Sequence, residues 1–234
     1  MARKDPAEHK YYDRFDLLLV VSVVTVVLLL LVDLDQGQGL GELLSVTVTI
    51  LTAAMLMLAV TASGVGHRGR RLAWIAVALT VSGSIIGAFL PSSIEAHGGL
   101  LWLGLVVAAP VVTLRRLMHH PKVTLETMLG GVSVYFLMAI ASTYLFLFID
   151  ISGFAAGGFF GSSQPTTVFM YFSLVTITTV GYGDFAPAEV VGRAAAGLEA
   201  IMGQVYLVVV VAYIVALFTA NRAGMRDPAL SDDD

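Results

Sequence analysis

The chain contains no cysteine, and charged residues are scarce. Only 13% of its 234 residues are Asp, Glu, Lys or Arg, whereas soluble domains average about 25%. The missing cysteines exclude a disulfide framework, a thiolate metal site and a cysteine nucleophile. A net charge of -4 with 57% hydrophobic residues excludes a disordered chain and a nucleic-acid-binding one. What is abundant is apolar sequence, and the mean hydropathy of +0.86 indicates several membrane spans.

The apolar residues are concentrated in six stretches, each close to the about 20 residues that a helix needs to cross a bilayer. In lipid, the backbone N–H and C=O groups of a chain of this kind find partners only within helices. The sequence therefore predicts an all-α membrane protein with six transmembrane helices, at residues 17–32, 43–62, 72–90, 99–117, 128–149 and 190–218.

The basic residues predict how these spans are oriented. Twelve of the 13 Lys and Arg residues lie in four places: before the first span, between the second and third, between the fourth and fifth, and after the last. Arg193 is the exception. The positive-inside rule places these segments, and both termini, in the cytoplasm. We expect a cytoplasmic N-terminus at 1–16, a linker at 119–127 and a short acidic tail at 222–234. Independent domains are longer than about 50 residues, so no ligand-binding domain is expected within this chain.

A segment of about 40 residues between the fifth and sixth stretches is neither a short loop nor a full span. Ser163 is the predicted N-cap of a helix in this segment, and Pro165 suits its first turn. The predicted helix, at 165–178, is too short to cross a bilayer, so we expect it to re-enter from the outside and end near mid-membrane. Irregular backbone at that depth has to be buried in protein or line a water-filled path.

The five residues after this short helix, Thr179-Val180-Gly181-Tyr182-Gly183, resemble the selectivity filter of potassium channels. The order of elements is also similar: a span, a short re-entrant helix, the motif and a second span. The resemblance implies that K⁺ ions sit in the filter, held by the backbone carbonyls of the first four motif residues and by the hydroxyl of the threonine.

The resemblance covers residues 125–220, the two-span pore module of that superfamily, and the run 198–204 is similar to small bacterial channels. It implies a pore domain at 128–221, of which four copies form a homotetramer among the lipids of the plasma membrane. Val, Ala and Gly are abundant and Lys is rare, which fits a bacterial source.

The residue types of the motif have a physical reason. A dehydrated K⁺ ion needs a cage of oxygens in place of its hydration water. To aim successive carbonyls at one axis, the backbone has to alternate through conformations that are costly for residues with a Cβ, and Gly181 and Gly183 avoid that cost. Val180 and Tyr182 are expected to point away from the axis and pack behind the filter. The C-terminal end of the short helix carries partial negative charge, which favours a cation there.

Five residues are predicted to support the filter. The resemblance implies a hydrogen bond between Tyr171 and Asp184. Glu199 is the only acid inside the body of a predicted span, and an intramembrane carboxyl is by default a functional hypothesis. One interpretation is that Glu199 bonds hydroxyls of the short helix, such as Thr176 or Thr178, and tunes the filter. The other is a purely structural hydrogen bond with the acid protonated, and both stay open.

The last span is expected to line the path below the filter. Gly203 lies at the position of the family's hinge glycine, and Gln204 is expected to help ring a hydrated cavity. α-Helical spacing puts Leu207, Val211 and Val215 on the same face, where an apolar ring can gate by dewetting. The alternative is that these aliphatic side chains face lipid or the core.

The first four spans, residues 17–118, have the layout of a voltage-sensor domain without its charges. A sensor carries basic residues through its fourth span, whereas here Arg115 and Arg116 lie adjacent at the inner end. We therefore expect a potassium channel without intrinsic voltage gating. The alternatives are a poorly selective cation channel, a non-conducting scaffold or regulatory subunit, and a four-repeat transporter; the intact motif, with Tyr182, ranks them lower. No span pairs a nucleophile with a base, so an enzyme is not expected.

Overall fold

The computed structural model describes residues 15–32, 40–62, 95–118, 125–153 and 157–213, with isolated positions at 71, 74, 78, 215, 216 and 219. The helices are α1 Phe15–Leu31, α2 Leu40–Ala62, α3 Glu95–Met118, α4 Leu125–Ile151, α5 Thr166–Ile177 and α6 Val190–Val205, which continues as a π-helix at Tyr206–Val211. These ranges contain no strand, so the all-α prediction is confirmed for the described part of the chain.

Helix bounds agree with the predicted spans to within a few residues wherever the chain is described. α1, α2, α3 and α4 correspond to the first, second, fourth and fifth predicted spans. The third, at 72–90, lies outside the described residues apart from isolated positions. Within the described ranges, two helices are long and apolar enough to cross a membrane, Glu126–Ile151 and Val190–Val211. A count of six therefore stays a prediction.

The short helix α5 begins one residue later than predicted. Pro165 is its N-cap, with an extended backbone (φ −67°, ψ 157°) and no capping side chain. The prediction of Ser163 as the N-cap is wrong, because a residue that precedes a proline is disfavoured in the α conformation, which keeps Gln164 out of the helix. With 12 residues, α5 has a length of about 18 Å. It is too short to cross a bilayer, as expected.

One apolar core joins the N-terminal helices to the C-terminal ones. α4 lies between α1 and α3, α2 packs against both of these, and α1 also contacts α5. Met170 and Ile177 of α5 are buried in the same core as Leu18 of α1. The predicted division into a peripheral domain at 17–118 and a pore domain at 128–221 is thus crossed by continuous packing, and α5 rests directly on α1.

Buried hydroxyl groups in the core bond mainly to their own helices. Ser22 and Thr113 are fully buried, and each donates to the carbonyl four residues earlier, at 2.7 and 2.8 Å. A hydroxyl satisfied in this way needs neither water nor a partner helix. A buried hydroxyl that reaches a different helix is therefore a distinctive feature, and α5 contains one.

The start of α1 is fitted closely against α4. Phe15 is fully buried, and a Cβ added at Gly130 would lie 2.9 Å from its ring atom Cδ1 and 3.0 Å from Cγ. Gly130 is therefore required by the close approach of the two helices. The contact fixes the N-terminal end of α4 to the first helix of the chain.

We expect Gly130→Ala to destabilise the purified protein by about 1–3 kcal/mol, because the added methyl overlaps a buried ring. Gly104→Ala in α3 is the matched control, since nothing lies within 4 Å of its added Cβ. Thermal unfolding in detergent, followed by circular dichroism, measures both variants. Adding Phe15→Leu should recover part of the loss, and a wild-type melting temperature for Gly130→Ala would contradict the contact.

Candidate ion-conduction site

The connection from α4 to α5 is held by polar and aromatic contacts. Asp150 Oδ1 accepts a hydrogen bond from Phe159 N at 2.6 Å, and Phe159 O accepts one from Ala188 N at 2.9 Å. The buried ring of Phe159 packs on Phe146 with centroids 4.8 Å apart. The end of α4 is thereby tied to the loop that follows the motif, so α5 is fixed from both flanks.

The motif has an alternating backbone. Thr179, Gly181 and Gly183 have φ values of 60°, 56° and 79°, whereas Val180 and Tyr182 between them do not have positive φ. The sequence predicts the special conformation at the two glycines but not at Thr179. A residue with a Cβ costs roughly 1–2 kcal/mol in the left-handed region. The surrounding contacts therefore have to hold Thr179 in place.

Those contacts come from the C-terminal end of α5. Thr179 N donates to Thr176 O at 3.0 Å, while Val180 N and Gly181 N both donate to Val175 O, at 3.0 and 3.2 Å. The N–H and C=O of a planar trans peptide point in opposite directions, and the described residues contain no cis peptide. The three carbonyls of these peptide units therefore point away from α5, as a row of oxygens beside the negative end of a helix.

The motif side chains are exposed in a single chain. Val180 is 51% and Tyr182 71% exposed. The expectation that these side chains pack behind the motif is therefore not met within one chain. α6 also exposes large apolar side chains, at Leu198, Ile201 and Met202. On a helix long and apolar enough to cross a membrane, such side chains are covered by lipid or by a neighbouring chain.

The hydrogen bond implied for Tyr171 and Asp184 is present in the structure. Tyr171 OH donates to Asp184 Oδ2 at 2.7 Å, and Asp184 Oδ1 accepts the amide of Phe185 at 3.1 Å. The bond to Asp184 raises the pKa of the Tyr171 phenol above its ordinary value, so the proton stays on the tyrosine. The residue that follows the motif is thereby joined to α5, which does not span the membrane.

Arg193 is a contributor that the sequence did not reveal. Its Nε donates to Pro187 O at 3.0 Å and its Nη2 to Ala188 O at 3.1 Å. Both acceptors lie in the loop between the motif and α6, so the guanidinium fixes that loop. The only signal in the sequence is that Arg193 is a basic residue on the otherwise acidic side of the chain.

Glu199 reaches α5 from α6. Its side chain is 1% exposed, and its Oε1 lies 2.6 Å from Ser173 Oγ. The same hydroxyl oxygen lies 2.8 Å from Ala139 O of α4. Three helices therefore meet at one serine.

The prediction that Glu199 bonds Thr176 or Thr178 is wrong in its choice of hydroxyl. Thr178 Oγ1 instead donates to Leu174 O, within its own helix turn, at 2.6 Å, and Thr176 supplies the carbonyl that receives the Thr179 amide. Ser173 lies three residues after Met170 and four before Ile177, both of which are buried. Helical spacing places these three residues on one face, but α5 is apolar on nearly all sides, so the sequence does not show that this face is the buried one.

Gly203 lies against the last residue of α5. A Cβ added there would be 2.6 Å from Ile177 O and 2.7 Å from Ile177 Cγ1. The same carbonyl accepts a hydrogen bond from Tyr135 OH of α4 at 2.8 Å. α4 and α6 therefore converge on Ile177, two residues before the motif. Close approach explains the glycine, and its role as a hinge stays a prediction.

Gln204 lies beneath the motif, with its Nε2 3.5 Å from Thr179 Oγ1. The next residues form the π-helix Tyr206–Val211, which the α-helical spacing did not predict. A π-helix bonds residues five apart instead of four, so the residues that follow are rotated relative to Gln204. The hydroxyl of Tyr206, at its start, donates to Gly131 O of α4.

The residues predicted as a gate share a face, and that face borders α4. Leu207, Val211 and Val215 line an apolar cavity of about 190 Å³ together with Tyr135 and Tyr206. They are also 41–50% exposed in the single chain. Their function as a gate stays a prediction.

Comparison with known proteins agrees with this arrangement. Residues 122–220 match a family model described as "Ion channel". The chain is 38% identical over 80 residues to the potassium voltage-gated channel protein shk-1 of Caenorhabditis elegans, an alignment covering 31% of this chain and 15% of that protein. Identity is also 38% over 80 residues to potassium voltage-gated channel subfamily A member 4 of Homo sapiens and of Mus musculus, covering 31% of this chain and 12% of each. No solved structure matches.

The matches indicate a membrane channel and not an enzyme. The chain spans less than a sixth of the length of these relatives. The family match, at residues 122–220, covers the C-terminal part of the chain, which contains α4, α5, the motif and α6.

We expect Gly203→Ala to lower the melting temperature, with a loss of about 1–3 kcal/mol, because the added methyl meets the carbonyl of Ile177, which cannot move without disturbing the motif. Gly197→Ala, on the same helix, is the control, since nothing lies within 4 Å of its added Cβ. Thermal unfolding in detergent compares the two. Equal stability of both variants would show that α6 does not approach α5 as described.

We expect Tyr171→Phe and Asp184→Asn each to destabilise the protein by about 1 kcal/mol, because each removes or weakens a hydrogen bond. Since both act on one bond, the double variant should lose clearly less than the sum of the two. Chemical unfolding of the four proteins gives the coupling free energy. Strictly additive losses would contradict the bond.

Proposed function

We propose that this chain, whose residues 122–220 match the "Ion channel" family model, is a member of the potassium channel superfamily and forms a channel through which K⁺ crosses the membrane passively. The observation that carries the proposal is the motif backbone, where the amides of residues 179–181 are bound by the end of α5 and the carbonyls of the same peptide units, those of residues 178–180, point away from it. Stripping K⁺ of its hydration water requires such oxygens, with a field strong enough to replace the water.

The proposed conducting unit is a homotetramer. One chain offers carbonyl oxygens on a single side, so a cage around an ion needs further copies arranged about an axis. The exposed Val180 and Tyr182, and the exposed apolar side chains of α6, supply surfaces that neighbouring copies would cover. In that assembly the K⁺ ions are held by the carbonyls of residues 179–182 and by the hydroxyl of Thr179.

The proposed channel has no intrinsic voltage gating. α3 has its basic residues, Arg115 and Arg116, in its last turn, and a charge at the end of a span moves through little of the membrane field. We further propose that the protein lies in the plasma membrane with both termini in the cytoplasm, on the side where its basic connections accumulate.

The test is the reversal potential of the purified protein in planar bilayers, with K⁺ on one side and Na⁺ on the other. We expect reversal near the K⁺ equilibrium potential and an open probability that stays flat during a voltage ramp. A reversal near zero would contradict K⁺ selectivity. A steep rise of open probability with voltage would contradict the proposed absence of intrinsic voltage gating.

We expect Gly181→Ala to abolish most of the K⁺ current, because its φ of +56° costs a residue with a Cβ roughly 1–2 kcal/mol in every chain. Gly104→Ala, far from the motif, is the control and should conduct as the wild type does. Currents are compared at equal amounts of reconstituted tetramer. A normal, selective current through Gly181→Ala would show that the motif backbone does not form the conduction path.

A further inference from the structure

The hydroxyl of Ser173 lies between two oxygens that both require a hydrogen. Ala139 O is 2.8 Å away and Glu199 Oε1 is 2.6 Å away. A serine hydroxyl has one proton to donate and lone pairs with which to accept. A backbone carbonyl only accepts, and an ionised carboxylate also only accepts.

Counting hydrogens decides which groups donate. If Glu199 were ionised, Ser173 could satisfy one of its two contacts, and the other would be an unbonded approach of two oxygens at less than 3 Å. If Glu199 carries a proton, it donates to Ser173 Oγ, and Ser173 donates to Ala139 O. Every short contact of the serine is then a hydrogen bond.

The surroundings of the carboxyl agree with a neutral acid. Ser142 and Ser173 are the hydroxyls next to it, and Tyr135 is the titratable group that faces it from α4. The Tyr135 hydroxyl already donates to Ile177 O. Glu199 Oε2 is buried, and no described residue forms a well-aligned hydrogen bond with it, although the Ser142 hydroxyl lies close enough to interact with the carboxyl. A buried oxygen with so weak a donor is far less costly as the carbonyl of an acid than as half of a carboxylate.

We propose that Glu199 is a protonated positioning residue, and that the series of bonds from Glu199 to Ser173 to the Ala139 carbonyl transmits the position of α6 to the back of the motif. The transmission part rests on the proposed function; the proton on Glu199 does not. Ser173 precedes by four residues the carbonyl of Ile177, on which Tyr135 and Gly203 converge.

The path from this link to the motif is short. Val175 O and Thr176 O, within three residues of Ser173, hold the amides of residues 179–181. A displacement of α6 that pulls on Glu199 therefore moves the turn of α5 whose carbonyls fix the motif backbone. Conversely, breaking the link frees α5 to shift without α6.

The proton is tested directly by infrared difference spectroscopy on the reconstituted full chain at neutral pH. We expect the carbonyl-stretch band of a protonated carboxylic acid in the wild type, a shift of that band in D₂O, and its loss in Glu199→Gln. Spectra of wild type and Glu199→Gln without such a difference would overturn the proposal. This measurement does not depend on conduction, so a protein that shows the band but passes no K⁺ would contradict the proposed function alone.

The link is tested by open probability in bilayers. Glu199→Gln keeps a hydrogen-bond donor toward Ser173 and should stay within about twofold of the wild type, whereas Glu199→Leu and Ser173→Ala should each change open probability about fivefold or more. Ser133→Ala is the matched control, because its hydroxyl bonds only to Leu129 O of its own helix, at 2.8 Å, and it should behave as the wild type. Glu199→Gln as impaired as Glu199→Leu, or Ser173→Ala no different from Ser133→Ala, would overturn the link.

Discussion

The arrangement depends on one property of the peptide unit: its N–H and C=O point in opposite directions. Binding the amides of residues 179–181 to the last turn of α5 turns the carbonyls of the same peptide units, those of residues 178–180, away from α5. The left-handed backbone at 179, 181 and 183 is the conformational consequence. The short helix thus acts as a template for the motif backbone, and its negative end faces the same region.

The last turn of α5 can hold the motif backbone only if α5 itself is fixed. Each helix that neighbours α5 contributes a contact that fixes it. α1 buries one side of it in the common core, Tyr135 of α4 binds its terminal carbonyl, and Gly203 lets α6 approach that same carbonyl within side-chain contact distance. In the middle of α5, Tyr171 binds Asp184, the residue after the motif. Some of these contacts are polar and others apolar, so the position of α5 is specified as well as stabilised.

The N-terminal helices are in direct packing contact with the helices that hold the motif. α1 and α3 pack along α4, and the fit of Phe15 against Gly130 allows little sliding between the first helix and the outer helix. In the proposed channel, where the basic residues in the last turn of α3 move through little of the membrane field, this packing provides support. Any signal from these helices would therefore reach the motif through contact with α4 and α5.

Much of this arrangement can be predicted from the amino-acid sequence. Apolar stretches gave the helices, because lipid leaves the backbone no other partners, and the spacing of Gly181 and Gly183 indicated the unusual backbone of the motif. The left-handed Thr179, the partner of Glu199 and the π-helix at Tyr206–Val211 were not readable. The sequence by itself determined which segments are helical and where the backbone must bend. Only the tertiary structure decided which buried hydroxyl meets the carboxyl and which carbonyls hold the motif, because those choices depend on how three helices are rotated against one another.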